Sequence, residues 1–434
     1  MNERDSEAIA GMLAKQGYSI VEQESDGDIL IFNTCSVREQ AERKAIGKIG
    51  IMKKQKKRKP HLIIGAMGCM AQNIGDKLLE DLPHLDFVIG TGQLHKLPEV
   101  LNSIIEERKQ LSLLSDGKDV LTSMGTHYQM GKEKEYQASI AVTRGCNRFC
   151  SYCIVPHVRG REISREIDDV VTEAKELVAD GVREIMLLGQ NVAAFGLDGD
   201  INPPPDGVSP FADLLIELNK LQGLCRIRFV SPYPSYFNDK LINTLGTLEK
   251  VCHNIHLPLQ SGSDRILKKM NRQYTAEQYL EIVNKLRKSM PDVSFSTDII
   301  IGFPSETDKD FNATHEMMRK VGYMNAFIFK YSPRSGTPAA EMEDQVPQHI
   351  KEERNQILLK ELGRYTSTNN ASYVGSVQEV LVEGPSRRNK KRWAGKTESF
   401  QLVIFDPTPN TERGQLVKVK ITHSTSATIF GKLV

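Results

Sequence analysis

The sequence predicts an α/β protein in three parts: a small parallel α/β domain, a central partial (βα)6 barrel, and a small C-terminal β-barrel. Three observations predict it. Short apolar runs alternate with amphipathic helical stretches through most of the chain. About six such units follow one another in the middle, and the tail changes to short strands separated by turn residues. A chain of 434 residues has the length for several domains, each with its own core.

The elements follow in order. Residues 5–16 (DSEAIAGMLAKQ) repeat apolar positions at helical spacing, with acidic residues in the first turn. Asp28–Asn33, His61–Gly65 and Phe87–Gly90 read as short buried strands, and a Lys-rich helical stretch reaches Lys59 between the first two. Residues 1–112 therefore form the α/β domain, and the polar residues 113–136 a linker. Six strands come next: Ser139–Thr143, Glu184–Leu188, Arg226–Val230, Asn254–Leu257, Ser294–Ile301 and Ala326–Tyr331. Helical stretches such as Asp168–Ala179, Phe211–Leu221, Ala276–Lys288 and Glu306–Val321 separate them. Eight units would close a full barrel, so six predict a partial one. With a final helix over Gln348–Ser367, this domain spans 137–368. In residues 369–434 the strands are Val377–Val382, Phe400–Phe405, Leu416–Ile421 and Ala427–Leu433, the pattern of a nucleic-acid-binding β-barrel.

Composition narrows the class. Hydrophobic content of 39% and charged content of 26% belong to a soluble globular protein. No apolar run approaches the roughly 18–20 residues of a membrane span, and the start carries no secretory h-region. Lys+Arg 57 against Asp+Glu 55 leaves a net charge of +2, so nucleic-acid binding has to be decided by local charge. Seven cysteines stand at 35, 69, 146, 150, 153, 225 and 252. An odd number, three of them within eight positions, fits a reduced, cytoplasmic setting and metal thiolates better than disulfides.

The sharpest motif is Cys146-x3-Cys150-x2-Cys153, directly after the first barrel strand, on the loops that form a barrel's catalytic face. Three thiolates so close in sequence can wrap one iron–sulfur cube and leave its fourth iron open to an external chelating ligand. The same spacing with His157 fits a Cys3His zinc site. Tyr152 and Ile154-Val155-Pro156 suit a loop packed on a flat ligand and are not required by zinc.

The motif resembles that of the radical S-adenosylmethionine (SAM) superfamily. With Ile154–Gly160 (IVPHVRG), Leu188–Asn191 (LGQN), Leu257–Ser263 (LPLQSGS), Thr297–Pro304 (TDIIIGFP) and Tyr331–Pro338 (YSPRSGTP), the chain resembles the methylthiotransferase family across essentially its whole length. Asn33-Thr34-Cys35, Gly68-Cys69 and Gly189-Gln190-Asn191 are similar to the branch acting on isopentenylated adenosine in tRNA, and the tail resembles a TRAM domain. The resemblance implies two [4Fe–4S] clusters and SAM. Cys146, Cys150 and Cys153 would hold the cluster that cleaves SAM to a 5′-deoxyadenosyl radical. An auxiliary cluster on Cys35 and Cys69 would hold the sulfur to be inserted at adenine C2, and a second SAM would supply the methyl group. By residue type alone, Cys35 and Cys69 read as buried free thiols. The family's third auxiliary cysteine has no counterpart here, since the chain opens Met1-Asn2 before Asp5-Ser6-Glu7; the expectation is an upstream start that supplies it, together with the domain's first strand.

Further expectations follow from the resemblance. Tyr152, Gln190, Asn191 and Gly302 are placed to contact SAM, with capping of strand ends as the plainer reading for the last three. The partners would be the tRNA anticodon stem-loop, an electron donor and a sulfur source, acting with a monomeric enzyme. Threonylcarbamoyl-adenosine in tRNA, or a ribosomal protein, is the alternative acceptor. A non-catalytic zinc protein that binds RNA is a third possibility.

Local charge supports RNA. Arg387, Arg388, Lys390, Lys391 and Arg392 crowd beside Trp393, the single tryptophan, between two tail strands. Cations neutralise phosphates and an aromatic can stack on an unpaired base, although a solvated hairpin has the same composition. Lys53–Lys59 reads equally as helix surface or phosphate contact. Arg272 and Arg334, near the catalytic rim, are expected to meet RNA or the SAM carboxylate. Cys225, Cys252 and His256 are expected to be core residues.

Overall fold

The computed structural model describes residues 1–34, 36, 39–114, 135–199 and 203–434. Cys35 and most of the expected linker, 113–136, therefore lie outside the described residues. No helix among the described residues is long and apolar enough to cross a membrane.

The N-terminal domain runs α1 (Asn2–Lys15), β1 (Ile29–Thr34), α2 (Glu39–Arg58), β2 (Ile63–Gly68), α3 (Cys69–Asp81), β3 (Phe87–Ile89), α4 (Leu97–Glu107) and β4 (Leu111–Leu113). Its sheet is parallel in the order β1-β2-β3-β4. Alternation along β2 builds two cores. Ile63 and Met67 face α1 and α4, while Ile64 and Ala66 face α2 and α3. Each buried Ile or Leu contributes roughly 1.5–3 kcal/mol relative to exposure, so helices on both faces hold the layers together.

The central domain contains β5 (Gln137–Ala141), the two-residue β6 (Thr143–Arg144), α5 (Val155–Arg159), β7 (Ile163–Ser164) and α6 (Ile167–Ala179). Then follow β8 (Glu184–Leu188), α7 (Pro210–Asn219), β9 (Arg226–Phe229), α8 (Asp239–Thr247), β10 (Asn254–His256), α9 (Asp264–Lys269) and α10 (Ala276–Ser289). It closes with β11 (Ser294–Ile301), α11 (Asp308–Val321), β12 (Asn325–Lys330) and α12 (Gln348–Ser372). The six long strands are parallel and in sequence order, as ladders β5-β8-β9 and β10-β11-β12. A bridge from Ile227 to Val251 joins the two ladders, giving the expected partial (βα)6 barrel. One continuous apolar core fills it, from Ile140 to Leu362.

The tail is a closed barrel, β13-β14-β15-β17-β16. Its strands are β13 (Val377–Pro385), β14 (Trp393–Thr397), β15 (Leu402–Phe405), β16 (Leu416–Ser424) and β17 (Ile429–Leu433). Alternate residues Val380, Val382, Val403, Phe405, Val419, Ile421 and Ile429 fill its core, and closure leaves no free edge. The sequence pattern showed four strands. The fifth, β14, sits inside the basic segment, so Trp393 is a strand residue paired with Pro385 and Phe405.

The barrel carries one neighbour at each end. At the start of its strands, Arg226 donates to the Lys396 and Glu379 carbonyls, and Arg228 to those of Glu398 and Thr397, which docks the tail. On the cluster-loop side, Thr91 Oγ1 donates to the Val158 carbonyl, and Arg159 binds Asn2 Oδ1 at 2.9 Å and Asp5 Oδ2 at 2.8 Å. These contacts fix the N-terminal domain against the cysteine loop.

Candidate active site

The loop bearing Cys146, Cys150 and Cys153 leaves the barrel after β5 and returns into α6. At its base β6 and β7 pair antiparallel, Thr143 with Ser164 and Arg144 with Ile163. Gly145 must be glycine: its φ is +77°, and a Cβ would sit 2.0 Å from the Arg161 carbonyl oxygen. The loop is tied on every side. Gly145 N donates to Gln190 Oε1 (2.7 Å), Cys146 N to Gly160 O (3.2 Å), and Ser151 N and Oγ to Met270 O and Lys269 O. Asn271 Nδ2 reaches Phe149 O at 2.9 Å. Five of the seven non-glycine residues with positive φ among the described residues lie in loops at this end: Phe149, Ser231, Gln260, Asn271 and Ser305. Strain of that kind gathers where a site imposes its own geometry.

Burial shapes the chemistry of the thiols. It pushes the Cys146 and Cys153 thiols up to about 12, with the neighbouring Cys150 adding to the rise in both. Such thiols ionise only when a metal cation supplies the compensating charge. Among the described residues no three His, Cys, Asp or Glu side chains converge on a point that could hold a single metal ion. A cube spreads its thiolates over several irons and needs no such convergence.

Buried polar atoms mark where a ligand fits. Thr143 Oγ1, Asn191 Nδ2, Gln260 Oε1 and Tyr331 Oη are buried without a hydrogen-bond partner. They follow β5, β8, β10 and β12, at the strand ends where the cysteine loop lies. Buried polar groups are nearly always paired, so four orphans on one face suit a polar cofactor such as SAM.

The other expected residues take definite places. Gln190 ties down the loop through Gly145, and Asn191 Oδ1 accepts from Tyr233 N at 2.9 Å; each caps a strand end and stands at the rim. Gly302 has φ +66°, and a Cβ there would meet the Lys351 stem at 2.3 Å; its N–H donates to Glu306 Oε1. Tyr152 packs between the two central apolar clusters, beside Cys150 and Cys153. Cys69 opens α3, and Thr34 and Gly68, the last residues of β1 and β2, are paired. Cys69 is buried against Ile154 and Val158 from the cysteine loop, beside Arg159. In the tail Arg387, Arg388, Lys390 and Lys391 are exposed. Arg392 bonds Asp406 and covers the Phe430 ring, and Trp393 is half-buried on the barrel core.

Sequence reasoning missed two features. Half-buried Arg272 reaches the cysteine loop, where its Nη1 lies 3.5 Å from Cys150 Sγ. Glu162 is buried, and burial pushes its carboxyl up to about 8 against the pull of Arg148. Both lie outside the cysteine motif, and only the fold brings them to it. Of the residues expected in the core, Cys252 is buried, Cys225 is half-buried near the surface, and half-buried His256 bonds Ser296 and Asp298.

Comparison with known proteins adds family to geometry. Residues 140–318 match the Radical SAM superfamily, residues 1–90 the uncharacterized protein family UPF0004, and residues 371–434 the TRAM domain. A tRNA-2-methylthio-N(6)-dimethylallyladenosine synthase from Opitutus terrae is 44% identical over 461 residues, covering 100% of this chain and 95% of its own. One of the same name from Carboxydothermus hydrogenoformans is 43% identical, covering 100% of this chain and 97% of its own. Among solved structures, a radical S-adenosylmethionine methyltransferase from Kitasatospora setae superposes with a TM-score of 0.58 at 15% identity, over 78% of this chain and 72% of that one. At that identity the likeness concerns the fold alone.

Proposed function

The chain belongs to the radical SAM family of tRNA-2-methylthio-N(6)-dimethylallyladenosine synthases, and from that premise we propose that it methylthiolates C2 of an isopentenylated adenosine beside the anticodon of tRNA. The superfamily implies one [4Fe–4S] cluster and SAM. The observation that carries the reading is the three-thiol loop, with Cys150 buried and Cys146 and Cys153 half-buried, beside four orphaned polar atoms on the same barrel face.

The aromatic C–H at adenine C2 offers no side chain a foothold, so the difficult chemistry belongs to the cofactors. Bound there, a cluster and SAM would supply both the radical chemistry that the C2 hydrogen demands and the methyl group. The protein holds, orients and shields. Cys146, Cys150 and Cys153 would ligate three irons of that cluster. The carbonyl acceptors at Gly160, Lys269 and Met270 fix the loop that carries them. Thr143, Asn191, Gln260 and Tyr331 offer SAM and the base their unpaired atoms. Tyr152 packs with Cys150 and Cys153 on the barrel core, beside the expected cluster.

Cys69, with Cys35 after β1, is assigned to a second cluster that presents the sulfur. The packing of Cys69 on Ile154 and Val158 supports this, because it brings that thiol to the wall of the first cluster's loop. The exposed cations Arg387, Arg388, Lys390 and Lys391 are assigned to tRNA phosphates. The same reading requires an external electron donor and a sulfur source.

Anaerobic reconstitution tests the proposal. The wild type should bind iron with stoichiometric sulfide and release 5′-deoxyadenosine from SAM under reduction. Cys150→Ala should lower that release by roughly a hundredfold or more, since even outer-shell losses reach that range. Isopentenylated tRNA should gain a methylthio group, and tRNA carrying threonylcarbamoyl-adenosine should not. Zinc in place of iron would end the reading.

A further inference from the structure

We propose that Arg272 is a positioning residue for the SAM-cleaving cluster: its guanidinium donates a charged N–H···S hydrogen bond to Cys150 Sγ and thereby favours the reduced cluster. The inference rests on the reading that Cys146, Cys150 and Cys153 hold that cluster.

Arg272 is half-buried, and its guanidinium is held by several partners. Nη1 lies 3.5 Å from Cys150 Sγ, Nη2 donates to Pro258 O at 3.3 Å, and Nε donates to the Tyr274 hydroxyl at 3.0 Å. That hydroxyl donates onward to Leu259 O at 2.9 Å, so its acceptor side is kept for Arg272. The Tyr233 and Tyr274 ring centroids lie 4.1 and 5.0 Å from the guanidinium carbon. Tyr233 is itself held, its hydroxyl accepting from Gln273 N at 2.8 Å.

No carboxylate pairs with this cation among the described residues; the groups around it are tyrosines and Cys150. A cation held partly away from water without a counter-charge is costly. Two tyrosine faces recover part of that cost as cation–π attraction. The missing anion is the thiolate cluster, which gains one further negative charge on reduction. A fixed cation and an N–H donor at one of its sulfurs stabilise the more negative state, and hydrogen bonds to cluster sulfurs are a recognised determinant of potential. Arginine suits the role because its planar fork serves sulfur, carbonyl and phenol at once.

The test is an anaerobic redox titration, without SAM, of the reconstituted full-length chain in a Cys69→Ala background, so that a single cluster is observed by EPR. Arg272→Met should retain iron and show about a tenfold smaller reduced-to-oxidised ratio at a given potential, which is about 59 mV for one electron. Arg272→Lys keeps the charge without the fork and should fall between. An Arg272→Met protein with full iron and an unchanged ratio overturns the proposal. Should Arg272→Met fail to keep iron, Arg272→Lys decides, and a ratio equal to the Arg272 protein overturns it. Weakened SAM binding with an unchanged ratio would make Arg272 a SAM carboxylate ligand and overturn it as well. An iron-free Arg272 protein would instead sink the cluster reading itself.

Discussion

The two ends of the central barrel use the same kinds of residue for opposite purposes. At the end where the strands begin, the terminal nitrogens of the two arginines that dock the tail are matched. Arg228 gives Nε to Glu184 and its two terminal nitrogens to the Glu398 and Thr397 carbonyls, and Gln137 completes Glu184. At the end where the strands finish, Thr143, Asn191, Gln260 and Tyr331 each keep a buried atom unmatched, and Arg272 has a sulfur where a carboxylate would be ordinary. A matched buried group contributes to holding two domains together. An unmatched one is tolerated where a ligand completes it.

The sharpest way to break the comparison is Arg228→Met. It leaves Glu184 charged and buried with Gln137 as its remaining partner, and it removes two of the bonds to the tail. Losing one partner of a buried pair costs about 4 kcal/mol. Denaturant unfolding followed at the tail should show that loss, while iron content stays at the wild-type level. An unfolding midpoint equal to the wild type would make the docking contacts decorative.

Asp310 sharpens the comparison within the cluster end, because there a matched acid forms the frame around unmatched groups. Burial alone would push its carboxyl up, but hydrogen bonds from Arg265, Ser263 and Thr307 hold it far below the usual carboxylate range. These bonds tie the loop after β10 to the first turn of α11, where Thr307 and Asp310 form a capping box. A carboxyl depressed in the folded state contributes stability above its unfolded value of about 3.9, and that contribution fades as pH falls through the folded value. Asp310→Asn should cost about 2 kcal/mol at neutral pH. Its stability should converge on the wild type in acid, measured by thermal unfolding from pH 7 downward.

Gln260→Met reverses the expectation. Oε1 of Gln260 pairs with nothing, so its removal should leave thermal stability unchanged or slightly higher. SAM affinity should fall about tenfold, the equivalent of about 1.4 kcal/mol. Equal affinity by equilibrium dialysis would show that this orphan does not face the ligand.

How much of this was legible in the sequence depends on distance along the chain. Periodicity located β8 at Glu184–Leu188, a nearly continuous apolar run, and β11 at Ser294–Ile301, whose second half ends in three isoleucines, with the observed ends. It missed β14, where Gly395 and Lys396 interrupt the apolar pattern and closure by β13 and β15 supplies what propensity lacks. It missed the single-turn α5 and the short α9, which are made by packing on the cysteine loop. The motif 146–153 was readable because its members are neighbours in sequence. Arg272 was not: 122 residues separate it from Cys150, and its charge pointed to a phosphate or carboxylate rather than a sulfur. The docking role of Arg226 and Arg228 was equally hidden, since a charged residue alternating in a strand ordinarily faces water.

The smallest effect expected concerns the basic segment of the tail, where exposure and partnership divide residues that composition treats alike. Arg388 is exposed, whereas Arg392 is committed to Asp406 and to the face of Phe430. An exposed cation has its charge available for a phosphate, so Arg388→Gln should reduce the salt slope of tRNA binding by about 0.7–0.9 and leave stability unchanged. Arg392→Gln should do the reverse. It gives up a surface ion pair and a ring contact worth together about 1 kcal/mol, and it changes the slope little because that charge is already matched. Equal slopes for the two variants in binding isotherms between low and moderate salt would mean that RNA competes successfully for Arg392. The distinction between matched and unmatched groups would then fail on the surface while holding in the interior, as expected where water can replace any partner.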